Sequence, residues 1–380
     1  MRFFGLAALS GALAGLSATA FLWLLAEATR LRESFPHLIW GLPLAGFFIG
    51  WSYHHYGRSV AAGHELIVEE VRNPREPLPF ILVPFVLVGT LLTHLFGGSA
   101  GREGTAVQMA AGLSDWVSRI FRLSSAERTT LLTIGAGAGF CAAIGAPWAG
   151  VAFGLEFARE REVRFNTFFE RLVASFTAYL VTILLRAPHS VFPMLVVTFN
   201  LGAFASAIAL GCLFGLAASG FLWLKFWIEK TQAQVSYPPL RPLLAGILLV
   251  LAFHLLGTNR YAGLGIPVIE EAFVGQSRSL DPFFKAVFTA LTIGSGFKGG
   301  EFVPLVFIGT TLASLIANWL PIHFSLAAAV GFGAVYAGAT LTPYACSLMV
   351  IELFGLDTAP YALIGCAASA YVARRFRPRK

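Results

Sequence analysis

Charge is scarce in this chain. Lysine, arginine, aspartate and glutamate make up 12% of its 380 residues, and hydrophobic residues make up 57%. Soluble domains carry roughly 25% charged residues, and a soluble protein of this length could not hide so much apolar surface. The solvent is therefore lipid. Cysteine is sparse as well: Cys141, Cys212, Cys346 and Cys366 all sit inside apolar stretches, without CxxC spacing. Neither a disulfide framework nor a thiolate metal site fits that pattern, which leaves small packing side chains. HExxH is absent, and no aspartate pair falls within an apolar run. Those absences count against an intramembrane enzyme built on His64, His94 or the glutamates. His54 and His55 adjoin near a helix end, and lone histidines such as His94 and His254 suit packing hydrogen bonds better than metal binding. No cofactor, metal or nucleic-acid partner is expected.

What the chain has instead is long apolar runs. Segments able to cross a hydrocarbon core, which takes about 20 residues, lie near 3–28, 38–53, 80–96, 165–185, 203–228, 240–256 and 361–372. Shorter helices that cannot cross alone are expected at 105–120, 131–143, 149–158, 283–293, 304–319, 326–336 and 346–354. The first run, 3–25, exceeds the apolar core of a secretory signal, about 7–15 residues, so it is read as a retained helix. No soluble appendage is expected after the last helix. Residues 374–380 gather positive charge, which marks the cytoplasmic side of a membrane protein, although Arg30 and Arg32 pull the other way. An integral protein of the cell (inner) membrane with a cytoplasmic C-terminus is expected.

The chain also repeats itself. GAGAGFCAAIGAPWAGVAFGLEF at 135–157 returns as GFGAVYAGATLTPYACSLMVIELF at 331–354. An offset of 196 places Gly135 on Gly331, Pro147 on Pro343 and Glu156 on Glu352. Gly101-Arg102-Glu103-Gly104-Thr105 is echoed by Gly299-Gly300-Glu301-Phe302-Val303, and 57–71 more loosely by 259–273. Matching glycine- and proline-interrupted segments in two halves point to a transporter whose site lies at the repeat interface. The expected organisation is one transmembrane domain, 1–380, with a first half at 1–231, a linker at 232–242 carrying Pro238, Pro239 and Pro242, and a second half at 243–380.

A helix that begins within the membrane presents a positive end and unused N–H groups. Several such ends converging make a place for a small anion without a fixed cation. Release matters as much as binding, and a buried lysine would hold the ion too tightly. Two readings of Gly101, Gly104, Gly299 and Gly300 stand here: close backbone approach to an ion, or helix packing. Glu103, in the first turn of a half-helix, could occupy the place of an external anion, and its protonation would couple anion passage to a proton. An ion pair with Arg102 is the alternative, but adjacent helical residues do not face each other. Glu301 is either a second proton carrier or a structural acceptor, with Lys298 placed to neutralise it. Phe302 either turns a ring edge to the anion or packs. Glu156 and Glu352 sit near helix C-terminal ends, where capping or pairing with the arginines at 159–164 is the plain reading for Glu156.

At these residues the chain resembles the CLC family of anion channels and proton-coupled antiporters. GREG at 101–104, Gly300-Glu301-Phe302-Val303-Pro304, the glycine-rich helix before Pro147 and the duplication carry the resemblance. It implies an all-α polytopic fold of two inverted repeats whose broken helices meet at a central anion site. It also implies a homodimer with one pore per subunit, and Glu103 as the gating glutamate. The resemblance assigns the anion to Gly63, His64, Gly101, Arg102, Gly104, Thr105, Gly300, Phe302 and Val303, and proton coupling to Glu103 and Glu301.

Four departures resemble the fluoride-exporting, proton-coupled branch. Ala61-Ala62-Gly63-His64-Glu65 replaces the family's GSGIP, and Thr105 stands where proline is usual. Phe157 falls where chloride/proton exchangers keep an internal glutamate, and FKGGE at 297–301 adds one. Val303 replaces that branch's threonine, and the anion-contacting tyrosine of the last helix has no clear counterpart. The expected function is exchange of a small anion, fluoride, for protons. The alternative within the family is a chloride channel or chloride/proton antiporter.

Overall fold

The computed structural model describes residues 2–157 and 167–378. Its described residues form sixteen α-helices and no named strand, and the second eight helices repeat the first eight in order. α1 (Arg2–Ser34) and α9 (Leu201–Gln232) are the long members, followed by α2 (Leu42–His55) and α10 (Leu240–Leu256). Short helices come next, α3 (His64–Arg72) and α11 (Ile266–Phe273), then α4 (Leu82–Leu95) and α12 (Asp281–Gly294). α5 (Glu103–Ile120) corresponds to α13 (Phe302–Ile316), and α6 (Ser125–Ile144) to α14 (Phe324–Thr340). α7 (Pro147–Glu156) with α15 (Pro343–Phe354) and α8 (Phe168–Leu184) with α16 (Ala359–Phe376) complete the series. In this order the expected linker at 232–242 runs from the end of α9 into α10, with the turn itself at 233–239, the place that 35–41 holds between α1 and α2.

Among the described residues every expected apolar run overlaps a helix, and two helices were not expected. α3 and α11 are short and carry Glu65, Glu69, Glu70, Glu270 and Glu271. That polarity hides them from a reading based on apolar length. α1, α9 and the segment Phe302–Trp319 are long and apolar enough to cross a membrane.

The starts and ends of the broken helices are written locally. Pro147 and Pro343 open α7 and α15, where proline's fixed φ suits a helix and its missing N–H costs nothing. Ser124 and Glu127 form a reciprocal capping box at the start of α6, satisfying two of its otherwise unused N–H groups. α6 ends at Gly145 with φ 87°.

Small residues let these helices touch. A Cβ on Gly331 of α14 would fall 2.3 Å from the Gly309 carbonyl oxygen of α13. In the first repeat, a Cβ on Gly135 of α6 would fall 2.1 Å from the Ser114 hydroxyl of α5. The paired glycines at 135 and 331 are thus packing positions, as small residues commonly are between membrane helices. Cys141, Cys346 and Cys366 are buried and free, and Cys212 is free as well.

Candidate anion site at two facing helix starts

The two repeats meet through backbone. Gly101 and Gly300 form an isolated antiparallel bridge. The Gly101 N–H donates to the Gly300 carbonyl at 2.6 Å, and the Gly300 N–H donates back at 2.7 Å. A Cβ on Gly300 would stand 2.8 Å from the Gly104 nitrogen, and one on Gly299 would stand 2.5 Å from the Ala100 Cβ. Only glycine allows this approach, so the starts of α5 and α13 face one another across the bridge. The glycines serve packing and site geometry together.

Glu103 is the first residue of α5 and is 2% exposed. Its carboxylate folds back over its own helix start, accepting from the Arg102 backbone N–H at 3.2 Å and from Arg102 Nε at 3.3 Å. The ion pair with Arg102 is therefore present, against the expectation. Arg102 is the N-cap, with φ −111° and ψ −29°, so the geometry of neighbours within a helix does not govern it. Its guanidinium also donates to the Ser190 hydroxyl at 3.3 Å. Arg102, Glu103, Phe302 and Val303 line one small cavity, closed further by Ile144, Phe192 and Ile266.

The remaining expected residues divide. Thr105 is buried, and its hydroxyl shares a hydrogen bond with that of Thr90 at 2.8 Å. It ties α5 to α4 and is not among the residues lining the cavity. Gly63 precedes α3 with φ 54°, a left-handed conformation that favours glycine. A Cβ there would fall 2.8 Å from Gln108 Oε1, and Gln108 Nε2 donates to the Gly104 carbonyl at 3.1 Å. Gln108, unforeseen from sequence, thus packs its amide against the start of α3 while bonding the first turn of α5. The His64 ring meets Phe157 edge-on at 5.1 Å.

Glu301 is the N-cap of α13 and does not line the cavity. It pairs with Lys225 of α9 at 2.5 Å, and Lys225 also reaches Glu229 at 3.6 Å. Lys298, expected to neutralise Glu301, instead donates to the Ala61 carbonyl at 3.1 Å and lies 4.0 Å over the Tyr53 ring. Lys225 is 76 residues from its partner, and no spacing rule reaches that far. An amine in the last turns of a long apolar helix was the available signal.

Not all the half-helix starts are open to an anion. Glu352 accepts from the Trp148 and Ala149 N–H groups at 2.9 and 2.8 Å, filling the start of α7. Glu156 accepts from the Ala345 N–H at 2.8 Å at the start of α15. The convergence expected from sequence thus narrows to α5 and α13. The arginines at 159–164, considered as partners for Glu156, lie outside the described residues.

Residues 45–374 match the family model described as voltage gated chloride channel. A chloride/fluoride channel protein of Pseudomonas syringae pathovar tomato is 40% identical, over 98% of this chain and 84% of its own length. An H(+)/Cl(-) exchange transporter of Vibrio vulnificus is 30% identical over 92% of this chain and 81% of its own length. The solved structure of a CLC-type fluoride/proton antiporter superposes with a TM-score of 0.94 at 33% identity, covering 99% of this chain and 96% of that one. A slow cyanobacterial Cl-/H+ antiporter shares the fold at a TM-score of 0.85 and 21% identity, covering 99% of this chain and 95% of that one. With the duplicated helices and the bridged GREG start, these likenesses place the chain in the CLC family of voltage gated chloride channels and antiporters, an all-helical family of integral membrane proteins.

Proposed function

We propose that this protein exchanges a small halide, fluoride, for protons across the inner membrane. The observation that carries the reading is Glu103, whose buried carboxylate occupies the start of its own half-helix beside a small cavity. A carboxylate in the place of an anion is a gate. When ionised it fills the N–H-rich helix end, and when protonated it loses the charge that holds it there. Anion arrival and protonation of Glu103 then favour the same displaced state, which is the basis of exchange.

Glu301 serves the inner side in this proposal. Lys225 holds it on one face of α13, and Glu229, whose side chain is 45% exposed, continues the polar path along α9. Phe302 and Val303 at the cavity, with Gly101, Gly104 and Gly300 at the bridge, make the anion's surroundings. Gly63 and His64 act through Gln108 and Phe157. Thr105 supports α5 and is not proposed as an anion ligand.

Fluoride is supported by the likeness to the CLC-type fluoride/proton antiporter at 33% identity, and the Pseudomonas relative is a chloride/fluoride channel protein. We further propose a homodimer with a cytoplasmic C-terminus, supported by the family resemblance and by the basic residues at 374–380. The repeat boundary is proposed before α9, because α9 to α16 reproduce α1 to α8.

The test is flux from liposomes holding the purified protein. A fluoride gradient should drive protons in the opposite direction, and fluoride efflux should exceed chloride efflux. Equal or greater chloride flux would move the assignment to a chloride transporter. Absence of any anion flux would remove it from transport.

A further inference from the structure

We propose that the Tyr336 hydroxyl relays the proton between Glu103 and Glu301. The inference rests on the exchange reading and adds a residue to it. Tyr336 lies on α14, in the segment that repeats 135–157, and the offset of 196 makes Phe140 its counterpart. The two repeat-related rings meet, with centroids 6.3 Å apart and planes 12° from parallel. Phe140 stacks on Phe153 at 4.3 Å, and both Phe140 and Tyr336 turn edge-to-face against Phe302, at 5.7 and 4.8 Å. Phenylalanine therefore serves the packing at one of the two equivalent positions. The hydroxyl at the other is surplus to packing.

The Tyr336 ring joins the surroundings of the two glutamates through Phe302. Phe302, which the Tyr336 ring touches, follows Glu301 in sequence and lines the cavity with Glu103. Glu103, Glu301 and the Cys346 thiol all lie within electrostatic reach of Tyr336. Cys346 is engaged with the Thr342 hydroxyl at 3.6 Å. The Tyr336 hydroxyl has no hydrogen-bond partner among the described residues, while its backbone carbonyl accepts from Thr340. Buried tyrosine hydroxyls usually find a partner. Tyr336 is 8% exposed, and its hydroxyl oxygen is not one of the sealed, partnerless polar atoms. It is open to a group that comes and goes.

A displaced, protonated Glu103 is such a group. Its carboxyl O–H bond breaks as the proton bonds to Tyr336 Oη, directly or through one water. In the same step the original Tyr336 O–H bond breaks and that proton bonds to a Glu301 carboxylate oxygen. One O–H bond forms for each that breaks, and the tyrosine ends neutral. Rotation of the hydroxyl resets it. Glu301, paired with Lys225, passes the proton on toward Glu229. Run backwards, the same steps carry a proton outward.

Tyr336→Phe keeps the ring and removes only the hydroxyl. In liposomes holding the full chain, with fluoride and proton movement recorded together, the variant should lose about tenfold or more of its fluoride-driven proton uptake. The proton-to-fluoride ratio should fall with it, and uncoupled fluoride efflux should remain measurable. Size-exclusion and thermal melting should match the parent protein, since no hydrogen bond is lost. A variant with the parental ratio and rate overturns the relay. So does one whose fluoride flux falls at an unchanged ratio, because the hydroxyl would then be an anion ligand. Failure of the parent protein to move protons with fluoride would instead sink the exchange reading itself.

Discussion

Glu156 and Glu352 exchange helix ends. Each stands near the C-terminal end of its own broken helix and caps the start of the other's, Glu156 on α15 and Glu352 on α7. A carboxylate accepting two backbone N–H groups satisfies donors that the helix cannot. The pair therefore stitches the two repeats together.

Glu352→Gln should lower stability by about 1–3 kcal/mol, the range for leaving buried donors poorly satisfied. The check is a thermal melt in detergent, and the proton-to-fluoride ratio of whatever folds should be parental. An unchanged melting midpoint with lost proton coupling would make Glu352 a proton carrier and not a cap.

Gly331→Ala should cost about 1–3 kcal/mol by forced displacement of α13 from α14, because the added Cβ would lie 2.3 Å from the Gly309 carbonyl oxygen. Gly220→Ala on α9 is the matched control, with nothing within 4 Å of the added carbon. It should be neutral or gain up to about 1 kcal/mol from helix propensity. Equal melting midpoints for the two variants would contradict the packing account.

Lys225→Met should impair coupled transport more than Lys298→Met does. Lys225 is paired with Glu301, whereas among the described residues Lys298 reaches a backbone carbonyl and the Tyr53 ring. Comparing the proton-to-fluoride ratios of the two variants in liposomes checks this. Greater damage from Lys298→Met would return the role to the lysine nearer in sequence.

The broken helices were legible because glycine, proline and apolar length are local signals, and because the duplication states most of them twice. α3 and α11 escaped because their glutamates interrupt apolar length. The Arg102–Glu103 pair escaped for another reason: a rule for residues within a helix was applied across a helix start. Gln108, Lys225 and Tyr336 owe their places to tertiary approach, which sequence spacing does not encode. The offset that paired Gly135 with Gly331 also paired Phe140 with Tyr336. The substitution of a phenol for a phenyl ring at one repeat position was the signal available in advance.

The central claim is that Glu103 couples the anion to the proton. Its most direct test is a fluoride gradient imposed on liposomes carrying the parent protein or Glu103→Gln, with proton and fluoride movement recorded together. The parent should drive protons against the fluoride flow, and the variant should move no protons while its fluoride flux changes. Proton movement by Glu103→Gln at the parental ratio would contradict the account.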